Sequence, residues 1–391
     1  MQASWSRLLD ETLTLRHLLH RLPELTWQEH NTAELIRNAL DRLHIPWRAC
    51  ARHGTLATLA PTAGGDHIAL RADIDALPIT EATGLDYQSE NRGCMHACGH
   101  DGHTAVLWGA AALLKRREAE LPGPVTLLFQ PAEEGGHGAR EMIAEGALDG
   151  IDRIFGWHNW PAIPLGKAAC PDGPVMSGNG TFEITLTGKG GHASQPELCR
   201  NPVVAVGAIA VNLQQIVAQR LAPQDAAVVA VTSIDAPSGS TTFPDTAKLG
   251  GSIRLGRPGL REPINALIRQ ISENIAHSYG VVAQVEIVPR YEATINHACA
   301  ARVYREALAG EMGEHWNMEN LPLPIMASED FSYYLDNIPG AFALVGMAQE
   351  ERFAIPCHSP RYQFNDALIA PMVRTFCRLA GLEPQECGPP G

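Results

Sequence analysis

The sequence predicts an α/β protein with a smaller α+β domain inserted into it. Two observations carry that prediction. Over most of the 391 residues, short apolar runs bounded by polar turns alternate with helical stretches, the pattern of strands and helices that share one sheet. Between about 178 and 294 the order becomes β-α-β-β-α-β, which is ferredoxin-like. The expected division is 1–177 with 295–391 as the larger domain and 178–294 as the insert.

Leu8, Leu9, Leu15, Leu18, Leu19 and Leu22 recur at near-helical spacing, so the chain opens with a helix. Thr32 to Leu43 reads as a second, stopped by Pro46. Strands are expected at His67–Leu70, Pro124–Phe129, Ile151–Trp157 and Gly340–Gly346, with a helix from about Gly102 to Glu120. In the insert, Thr181–Thr187 alternates Phe182, Ile184 and Leu186 with polar neighbours, a half-exposed strand. Pro202–Ala218 and Arg261–Tyr279 read as helices; Val228–Ile234, Ala247–Arg254 and Val281–Tyr291 read as strands. Ser328, followed by Glu329 and Asp330, has the form of a helix N-cap with acids in the first turn.

Composition removes several function classes. The net charge is −13, and the densest basic stretch, Lys115-Arg116-Arg117, is answered by Glu118 and Glu120. Nucleic-acid binding needs clustered Lys and Arg, so none is expected. No apolar run reaches the roughly 18 residues of a membrane span, and Asp10 and Glu11 spoil any secretory core near the start. Nine cysteines scattered from Cys50 to Cys387 are no disulfide framework; a reducing cytoplasm is the expected compartment.

Chemistry is concentrated where the predicted strands end, the edge at which open α/β sheets bind ligands. Asp73-Ile74-Asp75 follows the first strand and Gln130-Pro131-Ala132-Glu133-Glu134-Gly135-Gly136-His137 the second. Trp157-His158-Asn159 ends the third, and Cys357-His358-Ser359-Pro360 lies beyond the fourth. Cys94 to His103 packs two cysteines and three histidines before the long helix. Taken singly, each has an ordinary reading: a structural zinc site at Cys94 and Cys98, a solvated acid pair at Glu133-Glu134, a core histidine at His158, a surface histidine at His358. Together they read as a dinuclear metal site, which needs mixed carboxylate, imidazole and thiolate ligands and a base beside the bridging solvent. Adjacent residues in extended chain point to opposite sides, so Glu133 and Glu134 are expected to divide metal binding and proton handling.

These motifs, from His20-Arg21-Leu22-Pro23-Glu24-Leu25 to Cys357-His358-Ser359-Pro360, resemble the dinuclear-metal aminoacylase and carboxypeptidase family. The likeness is to its amidohydrolase branch of hippurate hydrolases, auxin-conjugate hydrolases and N-acetyl-amino-acid deacetylases. The resemblance implies a zinc-peptidase-like α/β catalytic domain and an inserted lid domain that makes a homodimer. It implies two divalent metal ions; thiolate and imidazole ligands suit zinc, with manganese, cobalt or nickel as alternatives. Cys98, His100, Glu134, His158 and His358 would be the ligands, Cys98 in the bridging place. Glu133 would be the general base and Asp75 would orient a ligand. In the lid, His192 of Gly190-Gly191-His192-Ala193-Ser194 would polarise the scissile carbonyl in the partner subunit's site. Arg254 would hold the substrate carboxylate, and Ser328-Glu329-Asp330-Phe331 also matches a motif of the family. The implied reaction is cleavage of an N-acyl, chiefly N-acetyl, amino acid by metal-activated water.

The chain departs from the family's pattern in the lid, where substrate is chosen. Pro196-Glu197 and Asn201-Pro202 stand for Pro-His and Asp-Pro, and Thr241-Thr242-Phe243-Pro244 for Asn-x-Ile-Pro. Glu197 and Thr241 are therefore expected to contact substrate. An acid in the place of an imidazole points to a cationic side chain, as in N2-acetyl-2,4-diaminobutanoate of ectoine degradation. The alternatives are a hippurate hydrolase, another N-acyl-amino-acid hydrolase or a dipeptidase, and more remotely a non-catalytic metal-containing binding protein. A G-x-S-x-G elbow, an H-E-x-x-H helix and P-loop spacing are all absent from the sequence.

Overall fold

The computed structural model describes residues 2–383. The chain forms two compact units. One combines the residues up to Val175 with Ile295–Pro322 and those from Asp330 onward; the other combines Met176–Thr294 with Leu323–Glu329.

The first unit is built on a seven-stranded sheet. Its order is Trp47–Cys50, Gly54–Leu59, Val125–Gln130, Ile68–Asp73, Arg153–Pro164, Gly340–Ala348 and Ala168–Ala169. The middle four run parallel. Ile68–Asp73 and Val125–Gln130 are buried throughout, as expected of parallel strands covered on both faces. From Ile68–Asp73 the chain crosses to Val125–Gln130 on one side, then returns past it to Arg153–Pro164 on the other. That reversal is a topological switch point, where a crevice opens at the carboxyl ends of the strands.

The His100–Arg116 helix is buried from His100 to Leu114. Being apolar on all sides, it suits a position inside the fold. Asp101 in its first turn and Lys115 and Arg116 in its last match the helix dipole. It begins at Gly99, whose φ is 93°. A Cβ there would meet Asn159 Oδ1 at 2.2 Å and the Tyr362 hydroxyl at 2.6 Å, so only glycine fits between Cys98 and His100.

The second unit is a four-stranded antiparallel sheet in the order Ala227–Asp235, Thr246–Leu255, Gly178–Thr187, Val282–Pro289. With the Pro202–Leu213 and Arg261–Ser278 helices, it has the ferredoxin-like topology. Phe182, Ile184 and Leu186 turn into a core with Ile209, Leu213, Ile264 and Ile268, while Thr181, Glu183 and Thr187 face outward.

Several local expectations change. The long strand does not end at Trp157 but runs to Pro164, because Gly340–Ala348 pairs along its length. The Pro202 helix stops at Leu213 and is followed by a π turn at Ile216–Arg220. Ser328 caps no helix: the nearest, Ser332–Leu335, starts after Phe331, and the Ser328 hydroxyl instead accepts from Arg254 at 2.6 Å. The Trp47–Leu59 hairpin and the helices Ala298–Met312 and Ile369–Leu379 were not among the expected elements, although Ile369, Met372, Val373 and Phe376 of the last form a buried stripe at helical spacing.

Candidate metal centre

Strand register brings the first residues together. Asp73 lies opposite Gln130 in a parallel ladder, and Ile68, Ala69 and Leu70 pair with Arg153, Ile154 and Phe155. Continued, that register sets Asp73 level with His158 at the carboxyl edge. The His100 helix starts against the same edge: the His100 Nδ1 lies 2.9 Å from the Asp75 carbonyl and 3.3 Å from its carboxylate. The loop after Gln130 delivers Glu133 and Glu134, and the loop after Gly340–Ala348 delivers His358, whose N–H donates to Ala97 at 2.8 Å.

All five expected ligands converge. Ligand atoms of Cys98, His100 and His158 lie within 4.8 Å of one another, and so do those of Cys98, Glu134 and His358. Cys98 is common to both triads. His158 Nε2 is 3.3 Å from the Cys98 sulfur, and His358 Nε2 is 3.2 Å from Glu134 Oε1. Glu133 joins His100 and Glu134 in a third such group. The two glutamates thus do not point apart. The chain turns at Ala132, φ 56°, and both carboxylates face one space. Cys94, although buried, belongs to none of these groups.

Hydrogen bonds and burial prepare these side chains for a cation. His158 donates its Nδ1–H to the Asn159 carbonyl at 2.7 Å, which turns the Nε2 lone pair toward Cys98. Burial, then His103, holds this imidazole well below its usual pKa, so it stays neutral, the form that ligates. Burial alone would lower His100, but Asp73 and Asp75 raise it to about 10; the surrounding field favours positive charge. Its Nε2 is buried without a hydrogen bond, the nitrogen an ion would satisfy. The Cys98 thiol is pushed up by contact with Cys357, then by burial and by Glu134 and Glu133, a penalty that a coordinated cation removes. Burial alone would raise the Asp75 carboxyl. The His100 contact, the Glu134 N–H at 2.9 Å and the Thr26 hydroxyl at 2.8 Å instead hold it below its ordinary value. The residues fit a pair of ions.

Other members were given no role in the site from sequence. His103 Nδ1 lies 2.6 Å from Asp73 and its Nε2 2.7 Å from Asn159. Arg71, fully buried, binds Asp73 at 2.6 Å, Gln130 at 2.8 Å and Asp330 at 3.0 Å. The Asp330 N–H points at Glu133 Oε1 at 3.3 Å. A charged residue inside a strand is the one signal that marked Arg71, since a buried charge needs partners.

The remaining expected site residues belong to the second unit. His192 is exposed, its Nδ1 accepting from the Ser194 N–H at 3.1 Å. Gly191-His192 pairs with Thr242-Phe243, and the Thr241 carbonyl accepts from Ala193 at 2.8 Å, so Thr241 flanks the histidine. Glu197 is exposed on the short Pro196–Leu198 turn. Arg254 is half-buried, opposite Asn179 in the sheet; burial, then Arg290, lowers its guanidinium pKa. Asn201 caps the Pro202 helix by accepting from Val203 at 2.9 Å, a structural role.

Comparison with known proteins agrees with this geometry. The profile of peptidase family M20/M25/M40 matches residues 69–381. An IAA-amino acid hydrolase of Arabidopsis thaliana is 37% identical over 365 residues, covering 92% of this chain and 82% of the relative. An N-acetyl-L-cysteine deacetylase of Bacillus subtilis is 37% identical over 369 residues, covering 93% and 86%. The crystal structure of the Bacillus subtilis YxeP protein, a dinuclear metal binding peptidase, superposes with a TM-score of 0.84 at 33% identity, covering 96% of this chain and 98% of that one. The chain is thus a member of peptidase family M20/M25/M40 and an enzyme that hydrolyses amides.

Proposed function

We propose that the protein hydrolyses N-acyl amino acids, chiefly N-acetyl amino acids, at a centre of two divalent cations. The observation that carries this reading is the pair of ligand triads sharing Cys98. Cys98, His100 and His158 would hold one ion, and Cys98, Glu134 and His358 the other. Bound there, the ions would lower the pKa of solvent and polarise the amide carbonyl. Thiolate and imidazole suit zinc, with manganese, cobalt and nickel as further candidates.

The chain's own groups have separable tasks. Glu133 accepts a proton from the attacking water and returns it to the leaving amine. Asp75 orients His100 through the Nδ1 contact, as outer carboxylates do for ligating histidines. Arg254 offers a guanidinium fork for the substrate carboxylate. His192 stabilises the developing oxyanion, acting in the partner subunit of a homodimer.

The homodimer reading is supported by the Pro202–Leu213 helix. It carries no charged residue, and Val203, Val204 and Val211 are 39%, 54% and 72% exposed. Val211→Glu is expected to convert the dimer to a monomer in sedimentation velocity and to lower turnover on the order of 10²-fold by withdrawing His192. A wild-type protein that sediments as a monomer would refute it. Eight free cysteines among the described residues support the cytoplasm as compartment. No described helix is long and apolar enough to cross a membrane.

For the substrate, exposed Glu197 beside the His192 segment supports a cationic side chain, and we carry this as N2-acetyl-2,4-diaminobutanoate. The test is amine release from metal-free protein reconstituted with Zn, Mn, Co or Ni. N2-acetyl-diaminobutanoate, N-acetylcysteine, N-acetylmethionine and hippurate form the panel. Highest kcat/KM on the cationic substrate is expected; preference for hippurate would sink that choice. Because the ligands must be neutral imidazole, carboxylate and thiolate, metal content should fall as pH is lowered. Two ions per chain retained against a strong chelator at pH 5 would contradict the ligand assignment.

A further inference from the structure

The loop that carries Glu133 and Glu134 is held from a segment outside the stretch matched to the family, 69–381. Thr26 donates its hydroxyl to Asp75 at 2.8 Å and faces the Glu134 carbonyl at 3.3 Å. The Trp27 indole N–H donates to the Gly136 carbonyl at 3.1 Å. Glu29 Oε1 accepts the Ala132 N–H at 2.8 Å.

Ala132 is where the backbone turns. Its φ of 56° lies in the left-handed region, which a residue with a Cβ occupies only when its surroundings over-determine it. Its carbonyl accepts from Gly138 at 3.0 Å, and a Cβ on Gly138 would meet the Pro131 carbonyl at 1.7 Å. The turn is therefore pinned at both ends. Glu29 is fully buried, and the helix that starts at His30 takes no cap from its side chain. Its Oε2 makes no hydrogen bond. Burial, then Asp75, pushes its carboxyl up to about 8, so near neutral pH it is mostly protonated and an amide of the same shape can replace it.

We propose that Glu29 is a positioning residue for Glu133: by accepting the Ala132 N–H, it holds the left-handed turn that aims the Glu133 carboxylate at the reacting water. This rests on the reading of Glu133 as the general base. The experiment compares Glu29→Gln and Glu29→Met in the full-length, metal-loaded enzyme, with and without Glu133→Gln. Glu29→Met should lower kcat about tenfold or more, since small misplacements of reacting groups are costly. KM should stay within about twofold and two ions per chain should remain, because the interaction acts on the chemical step. Glu29→Gln should keep kcat within about threefold, a rescue that the retained acceptor predicts. In the Glu133→Gln background, Glu29→Met should add nothing further, as expected of residues acting as one unit. If Glu29→Met folds poorly, Glu29→Asp, which withdraws the acceptor but keeps the carboxyl, should show the same kcat loss. Wild-type kcat in Glu29→Met or Glu29→Asp, equal losses in the Gln and Met variants, or full additivity would overturn the inference. Turnover retained in Glu133→Gln alone would overturn the base assignment, and this inference with it.

Discussion

Glu133→Gln is expected to lower kcat by roughly 10²–10⁴-fold, the usual contribution of a positioned general base, while the purified protein keeps its ions. Glu134→Gln is expected to do something different: to lower metal content first, with activity restored in part by excess ion. The two side chains are adjacent and share the space facing His100, so a comparison controls for position and size. What separates them is partners. Glu134 lies with Cys98 and His358, and its backbone N–H is fixed by Asp75 at 2.9 Å. Glu133 faces the Asp330 N–H at 3.3 Å, which steadies a carboxylate without neutralising it. Metal analysis beside steady-state kinetics decides the matter; metal loss in the Glu133 variant with full occupancy in the Glu134 variant would exchange the two roles.

Asp101→Ala should destabilise the protein by about 3–5 kcal/mol, the range for removing one partner of a buried ion pair. Asp101 is fully buried between two cations. Arg16 donates to it at 2.9 Å, and His20 Nδ1 lies 2.9 Å away. His20 Nε2 faces Glu81 at 3.2 Å; with carboxylate oxygens at both nitrogens, the ring is an imidazolium. Tyr87 lies under Arg16 at 4.9 Å. Burial would lower His20, but Asp101 and Glu81 raise it from 6.5 to about 9, against a smaller opposing effect of Arg16. Nearby His96 is pushed down to about 4 by burial and stays neutral. A raised folded-state pKa contributes stability that is fully present below about 6.5 and lost as pH rises through about 9. The gap in urea stability between wild type and Asp101→Ala should therefore be widest near pH 6 and narrow by pH 9.5. It should not close, because Arg16 remains charged. A gap that widens with pH would rule out the imidazolium.

Much of the site was legible because its chemistry is local in sequence. Cys98 and His100 stand two apart at a helix start, Glu133 and Glu134 follow an apolar strand, and His158 and His358 sit in short marked motifs. The fold class was legible for a similar reason, since buried parallel strands and a half-exposed antiparallel strand differ in periodicity. Arg71, Asp330, His103 and Glu29 were not legible as partners. Arg71 and Asp330 are separated by 259 positions, and nothing in either segment announces the other. The failed N-cap at Ser328 has the same origin. A serine followed by two acids satisfies the local rule, but Arg254, supplied by the sheet of the insert, offers the hydroxyl a charged donor, and the backbone goes on to buried Asp330 before it coils.

The sequence by itself determined the fold class, most of the strands and helices, the types of ligand, and that they come to one edge of a sheet, because period, turn residues and donor chemistry are properties of short segments. Only the tertiary structure decided that Cys98 is common to both triads, that the two glutamates face one space, and that Glu29 pins the turn between them and the strand. Those facts depend on the backbone angle at Ala132, the register of Ile68–Asp73 beside its neighbours, and the closeness of residues far apart in the chain. Each is settled by packing and by the need to pair every buried polar group, and no local window of sequence contains it.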